Sequence, residues 1–348
     1  MTTEDWYDVT IIGGGPAGLY ASFYSGLRSM KTKIIEYQPT LGGKIHVYPQ
    51  KMIWDIGGLP PITGEKLIEQ LVEQGLTFDP RVMTSEKIVN IEQTEAKRFI
   101  LHSESGRKHY SKTVIVAIGA GILKPQKLAI AGAEQYESSN LHYIIKSLKR
   151  FEGKTVIISG GGNSAVDWAI ELLPYAKQVY VTYRNAALKG HEAQVERLTT
   201  SSATCFYHTS ITKLDGGEKQ AFIQQVELTN HQTGEVTTLS VDDVIINHGY
   251  ERDAALLDQC DLEIKRVNDY FIEGTANSQS SIDGLYAAGD ILMHDGKVGL
   301  IAGAFQDAIH AVNKAKQYLQ PEANDYAMVS SHNERLKEKN AALFKQLK

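Results

Sequence analysis

Three glycines and one acid carry the first recognisable chemistry of this sequence. Gly13, Gly15 and Gly18 stand at the spacing G-x-G-x-x-G behind the apolar run Val9-Thr10-Ile11-Ile12, and Glu36 follows 23 residues after Gly13. Residues without a Cβ let a backbone turn close on a pyrophosphate. The helix behind them, opening at Pro16 and Ala17, aims its free N–H groups and its dipole at the anion. A carboxylate at the end of the next strand accepts hydrogen bonds from ribose hydroxyls and repels a phosphate on the 2′ oxygen. The pattern therefore suits FAD or NAD rather than NADP. A chance glycine turn is the bland alternative; strand, glycines, helix and acid in that order within one βαβ length argue against it.

The chain carries a second such set. Gly160, Gly162, Asn163, Ser164 and Ala165 form a G-x-G-x-x-A turn behind Thr155-Val156-Ile157-Ile158, but the position 23 residues after Gly160 is Tyr183, followed by Arg184. No acid is there to repel a 2′-phosphate, and a guanidinium is there to bind one, so this cradle reads as a site for NADP(H). An ordinary solvated arginine is the competing reading. Lys189 and His191 are further candidate phosphate ligands. Near the C-terminus, Leu285-Tyr286-Ala287-Ala288-Gly289-Asp290 places an acid where it holds a ribityl or ribose hydroxyl, or else only caps a turn. A helix start at about Leu300 is suited to face the pyrimidine edge of a flavin with its free N–H groups. Tyr48, after the loop Gln38 to Lys44, is equally readable as a loop anchor or as a ring that stacks on a flat cofactor.

The elements that must position these groups are legible as periodic segments. Helices are expected over Pro16–Arg28, Glu65–Gly75 and about Leu300–Leu319, and buried strands end at Glu36, Gly119, Arg184 and Gly249. Alternating segments from Val82 to Val116 and from about Cys205 to Leu239 read as two β-meanders. The whole is a duplication, with 106 residues from first to closing glycine in one copy and 89 in the other. The expected fold is α/β with two three-layer, Rossmann-like dinucleotide-binding domains. The FAD domain is discontinuous, 1–124 with 250–348, and the NADP(H) domain is 125–249.

A chain of 348 residues, 42% hydrophobic, suffices for two such cores, and a net charge of −5 argues against nucleic acid or an anionic membrane surface as partner. Cys205 and Cys260 are too far apart in sequence to suggest a disulfide framework or thiolate metal site. His191-Glu192 lacks the second histidine of H-E-x-x-H, so no metal is expected. Met1 leads through Glu4 and Asp5 into the first strand without a signal-peptide pattern, and a cytoplasmic, membrane-free protein is expected.

Taken together, Gly13 to Gly18, Glu36, Thr113 to Gly119, Gly160 to Ala165 and Leu285 to Asp290 resemble the two-nucleotide flavoprotein reductases, and more narrowly the ferredoxin–NADP(+) reductases of the thioredoxin-reductase type. The resemblance implies a homodimer with tightly bound, non-covalent FAD, NADPH as co-substrate, and ferredoxin or flavodoxin as one-electron partner. A hydride would pass from NADPH to flavin N5, and single electrons would then leave. It further implies that Tyr48 stacks on one face of the flavin and His332, from the partner's tail, on the other, and that Glu36, Lys44, Tyr48, Ile88, Val89, Leu123, Asp290 and Ser331 contact FAD. One departure from thioredoxin reductase is decisive. The segment Gln135 to Tyr143, where that enzyme carries Cys-x-x-Cys, contains no cysteine. A flavin oxidase or monooxygenase, or a disulfide-reductase-like flavoprotein without its own dithiol, are the alternatives.

Overall fold

The computed structural model describes residues 5–119, 121, 124–217, 221–250 and 255–346. The chain divides into two compact units, Met1–Ile122 with Arg252–Lys348, and Leu123–Glu251.

In the first unit, strand Trp6–Ile12 lies between Thr32–Ile35 and Lys108–Val116, parallel to both. Arg81–Met83 extends the parallel sheet at one edge. Both faces of this sheet are covered, which is why its strands read as continuous apolar runs rather than alternating ones. Alternate residues enter different cores. Val9, Ile11, Ile34 and Ile115 pack against helices Pro16–Leu27 and Ile301–Leu319, whereas Ile12, Ile35, Val114 and Val116 pack against Phe99, Leu101 and Leu285. Lys108–Val116 changes partners along its length. Its first half pairs antiparallel with the meander strand Phe99–Ser103, and its second half pairs parallel with Leu285–Ala287. That last pairing returns the C-terminal segment to the N-terminal sheet and makes the unit discontinuous.

The second unit holds a five-stranded parallel sheet in the order Thr204–Tyr207, Gln178–Tyr183, Thr155–Ser159, Asp243–Ile246, Leu141–His142. Here one boundary differs from the expected one. Cys205 does not open the second meander; it sits in a strand parallel to Gln178–Tyr183, and the antiparallel meander begins at Thr209. His208, at φ +54°, turns the chain between the two. Periodicity alone does not separate two strands joined by a single turn residue.

Candidate functional site

The first glycine turn has the shape that pyrophosphate binding demands. Gly13 sits at φ +110°, and a Cβ there would collide with the Ala117 carbonyl. A Cβ on Gly18 would likewise strike the Gly13 carbonyl, so this glycine lets the helix start lie against the turn. Gly15 is different: a Cβ would meet only Gly43 Cα, at an ordinary 3.6 Å. Among the described residues nothing requires a glycine there, and the missing side chain leaves room for an approaching phosphate. Gly15 also precedes Pro16, which opens helix Pro16–Leu27 with no side-chain cap. The first-turn N–H groups are thus left for an anion.

Glu36 is buried at the edge of this turn. Its Oε2 accepts from the Gly14 N–H at 2.6 Å and its Oε1 from the Gln38 N–H at 2.7 Å. Burial pushes its carboxyl above the ordinary value, opposed by the backbone N–H groups of Gln38 and Gly14. Each oxygen keeps a lone pair for a ribose hydroxyl.

Three distant segments converge beside the turn. Gly289, at φ +76°, approaches so closely that its Cβ would lie 3.0 Å from that of Ala17. The ring of Tyr20 meets that of Phe305 at 4.8 Å between centroids, which sets the second turns of helices Pro16–Leu27 and Ile301–Leu319 side by side. Leu300, at the start of the second helix, supplies no cap. Tyr48 ends the short 3₁₀ turn Gly43–Val47; burial pushes its phenol upward, and the charges of Asp290 and Asp55 add to the effect. Tyr48 and Asp290, 242 residues apart in sequence, therefore share one electrostatic environment. The residues present fit FAD: an anion-ready turn, a ribose acceptor, a second acid and an uncapped helix start lie within one unit.

The other expected FAD contacts are less uniform. Lys44 is exposed, Val89 is partly buried, and Ile88 is buried in the core under the sheet. Leu123 lies outside the described residues. Ser331 and His332 are exposed. Their tail is anchored to the far end of helix Pro16–Leu27: Asn333 Nδ2 donates to the Leu27 carbonyl at 3.1 Å, and Arg335 Nη1 to the Gly26 carbonyl at 2.7 Å. A helix of 12 residues is roughly 18 Å long. The tail is therefore anchored at the end of this helix opposite to its glycine turn.

In the second unit, Gly160 at φ +149° abuts the Asn247 carbonyl, and Gly161 is covered by the ring of Tyr183. Gly162, by contrast, has open space where a Cβ would be. It precedes helix Asn163–Leu172, which again has no side-chain cap. Arg184 is exposed at the end of strand Gln178–Tyr183. The loop beyond it folds back: the Lys189 N–H donates to the Gly161 carbonyl, and the His191 N–H donates to Asn163 Oδ1 at 2.8 Å. Arg184, Lys189 and His191 thus border one glycine turn.

His248 belongs to this turn as well and escaped the sequence pattern. Its Nε2 lies 2.9 Å from Ser159 Oγ, and burial, reinforced by the Arg184 charge, holds its imidazole below the ordinary value. Two basic residues of this unit are held in ion pairs: Lys127 with Glu137, and Lys154 with buried Asp243. Both thiols, Cys205 and Cys260, are free and pushed upward by burial. Among the described residues, no helix is long and apolar enough to cross a membrane.

Comparison with known proteins adds names to this geometry. The family described as pyridine nucleotide-disulphide oxidoreductase matches residues 7–315. The chain is 66% identical to ferredoxin–NADP reductase 1 of Bacillus mycoides, covering 100% of this chain and 99% of that one. It is 62% identical to ferredoxin–NADP reductase 2 of Exiguobacterium sibiricum with the same coverage. Among solved structures, it is similar to Lactococcus lactis thioredoxin reductase, with a TM-score of 0.74 and 25% identity over 90% of this chain and 99% of that one.

Proposed function

The chain belongs to the pyridine nucleotide-disulphide oxidoreductase family, and on that premise we propose that this oxidoreductase moves electrons between NADPH and a one-electron carrier, ferredoxin or flavodoxin, with FAD as its resident cofactor. The observation that carries the reading is the inequality of the two cradles. Glu36 stands against Gly14 in one, while Tyr183 covers Gly161 in the other and Arg184 follows it. High identity to relatives named ferredoxin–NADP reductase supports the same assignment.

Bound FAD would supply a ring that accepts a hydride at N5 and gives up electrons one at a time. Gly13, Gly15, Pro16, Ala17 and Gly18 would hold its pyrophosphate, Glu36 the adenosine ribose, and Asp290 a ribityl hydroxyl. Tyr48 would cover one ring face, and the free N–H groups after Leu300 would favour negative charge at the pyrimidine edge. Gly160, Gly162, Asn163, Ser164 and Ala165 would hold the pyrophosphate of NADPH, and Arg184 its 2′-phosphate. No side chain needs to act as acid or base. In a homodimer, the tail, anchored at the far end of helix Pro16–Leu27 from its own glycine turn, would lend the partner subunit's His332 to the second ring face. A cytoplasmic location accords with this chemistry.

The test is anaerobic turnover of the purified protein with NADPH against ferredoxins, flavodoxins and thioredoxin. A yellow protein, bleached by NADPH and reoxidised by ferredoxin or flavodoxin, is the expected result. A colourless protein that refuses added FAD overturns the proposal.

A further inference from the structure

Lys297 and Asp307 form an ion pair whose side chains are only 10% and 8% exposed. The pair closes on Gly289 from both sides. The Gly289 N–H donates to Asp307 Oδ2 at 3.0 Å, and Lys297 Nζ donates to the Gly289 carbonyl at 2.9 Å. A third group faces the other carboxylate oxygen. His294 Nε2 lies 3.7 Å from Asp307 Oδ1 and is buried with no hydrogen-bond partner among the described residues.

Removing two charges from water is expensive, and an apolar pair of similar size often serves a fold as well. The useful property of such a pair is the geometry it enforces. Asp307 lies in the second turn of helix Ile301–Leu319, Lys297 precedes that helix by four residues, and Gly289 precedes Asp290. One ion pair therefore ties together the turn bearing Asp290, the loop 294–300 and the uncapped helix start.

We propose that Lys297 and Asp307 are positioning residues for the flavin: their pair holds the Asp290 carboxylate and the free amides after Leu300 at a set separation, and its two charges shape the field at the ring. The inference rests on the reading that FAD occupies the first cradle. Neither residue touches the reacting atoms in this account. Each acts through Gly289 and through the helix.

A pair that only staples the fold and one that also sets the flavin field differ in sign. Lys297→Gln leaves the Asp307 carboxylate uncompensated near the ring and shifts the flavin midpoint potential to more negative values. Asp307→Asn leaves the ammonium uncompensated and shifts it to more positive values. Both raise the dissociation constant for FAD by about tenfold or more, because breaking a buried pair loosens what it held. Lys297→Arg keeps the charge and restores the potential towards that of the parent protein. The measurements are dye-coupled spectrophotometric potential titration and FAD release, made on the full chain. Shifts in the same direction, or unchanged potentials in yellow variants, overturn the inference while leaving the FAD reading intact. Should one variant fail to fold, the sign for the other, set against Lys297→Arg, decides. A parent protein that takes up no FAD overturns both.

Discussion

The ring of Tyr183 lies over Gly161, occupying the volume that any Cβ on that glycine would need. At the equivalent place in the other unit, the Glu36 carboxylate accepts from the Gly14 N–H. In the function proposed above, this exchange of an acid for an aromatic, followed by Arg184, would separate a cradle that excludes a 2′-phosphate from one that admits it.

Arg184→Ala should raise the Michaelis constant for NADPH by roughly tenfold to a hundredfold, the worth of a lost charge-assisted hydrogen bond, and leave that for NADH almost unchanged. Steady-state kinetics with both nucleotides check this. Equal changes would remove the phosphate role from Arg184.

The glycines divide into those the fold needs and those only a ligand needs. Gly15→Ala and Gly162→Ala meet no close contact at ordinary φ, so thermal stability should change by no more than about 0.5 kcal/mol. Gly15→Ala should nevertheless lose FAD, and Gly162→Ala should bind NADP(H) at least about tenfold more weakly. Gly160→Ala, strained at φ +149° and blocked by the Asn247 carbonyl, should destabilise by about 1–3 kcal/mol. Calorimetry and flavin absorbance on the same preparations distinguish the two classes.

Asp243 is fully buried, with His142 Nε2 at 2.6 Å and Lys154 Nζ at 2.8 Å. Burial pushes its carboxyl up, but hydrogen bonds from His142 and Lys154 outweigh it and hold the group below the ordinary carboxylate value. Its stabilising contribution is therefore complete above the unfolded carboxylate pKa of about 3.9 and is lost as pH falls through the lower folded value. Asp243→Ala should cost about 3–5 kcal/mol at neutral pH, with the deficit shrinking only in strong acid. Urea titrations across pH measure it.

Deleting residues after Tyr326 removes His332 together with the Asn333 and Arg335 anchors on helix Pro16–Leu27. The flavin absorption envelope should shift if the tail covers a ring face in the assembled protein. An unchanged spectrum from a folded, FAD-loaded truncation would exclude stacking by His332.

Between Gln135 and Tyr143 there is no cysteine; Cys205 and Cys260 fall in different units. The protein should accordingly fail to reduce thioredoxin with NADPH while reducing a one-electron carrier. Robust thioredoxin reduction in a coupled disulfide assay would end that reading.

Much of this was legible in residue order alone, because a βα turn is a local object. A strand, three glycines without Cβ and a helix start follow each other within a dozen residues, and the acid or aromatic that completes them lies one strand further on. What needed the tertiary structure depends on pairings between distant segments. Gly289 approaches Ala17, and Lys108–Val116 exchanges Phe99–Ser103 for Leu285–Ala287 midway along its length. Cys205 lies in the parallel sheet rather than the meander, and His248 is delivered to Ser159 by the adjacent strand. The Lys297–Asp307 pair has no local signature, since a lysine and an aspartate ten residues apart around a helix start look like two solvated charges. Only the packing that buries Gly289 between them turns them into a clamp, and packing is set by long-range register and not by spacing along the chain.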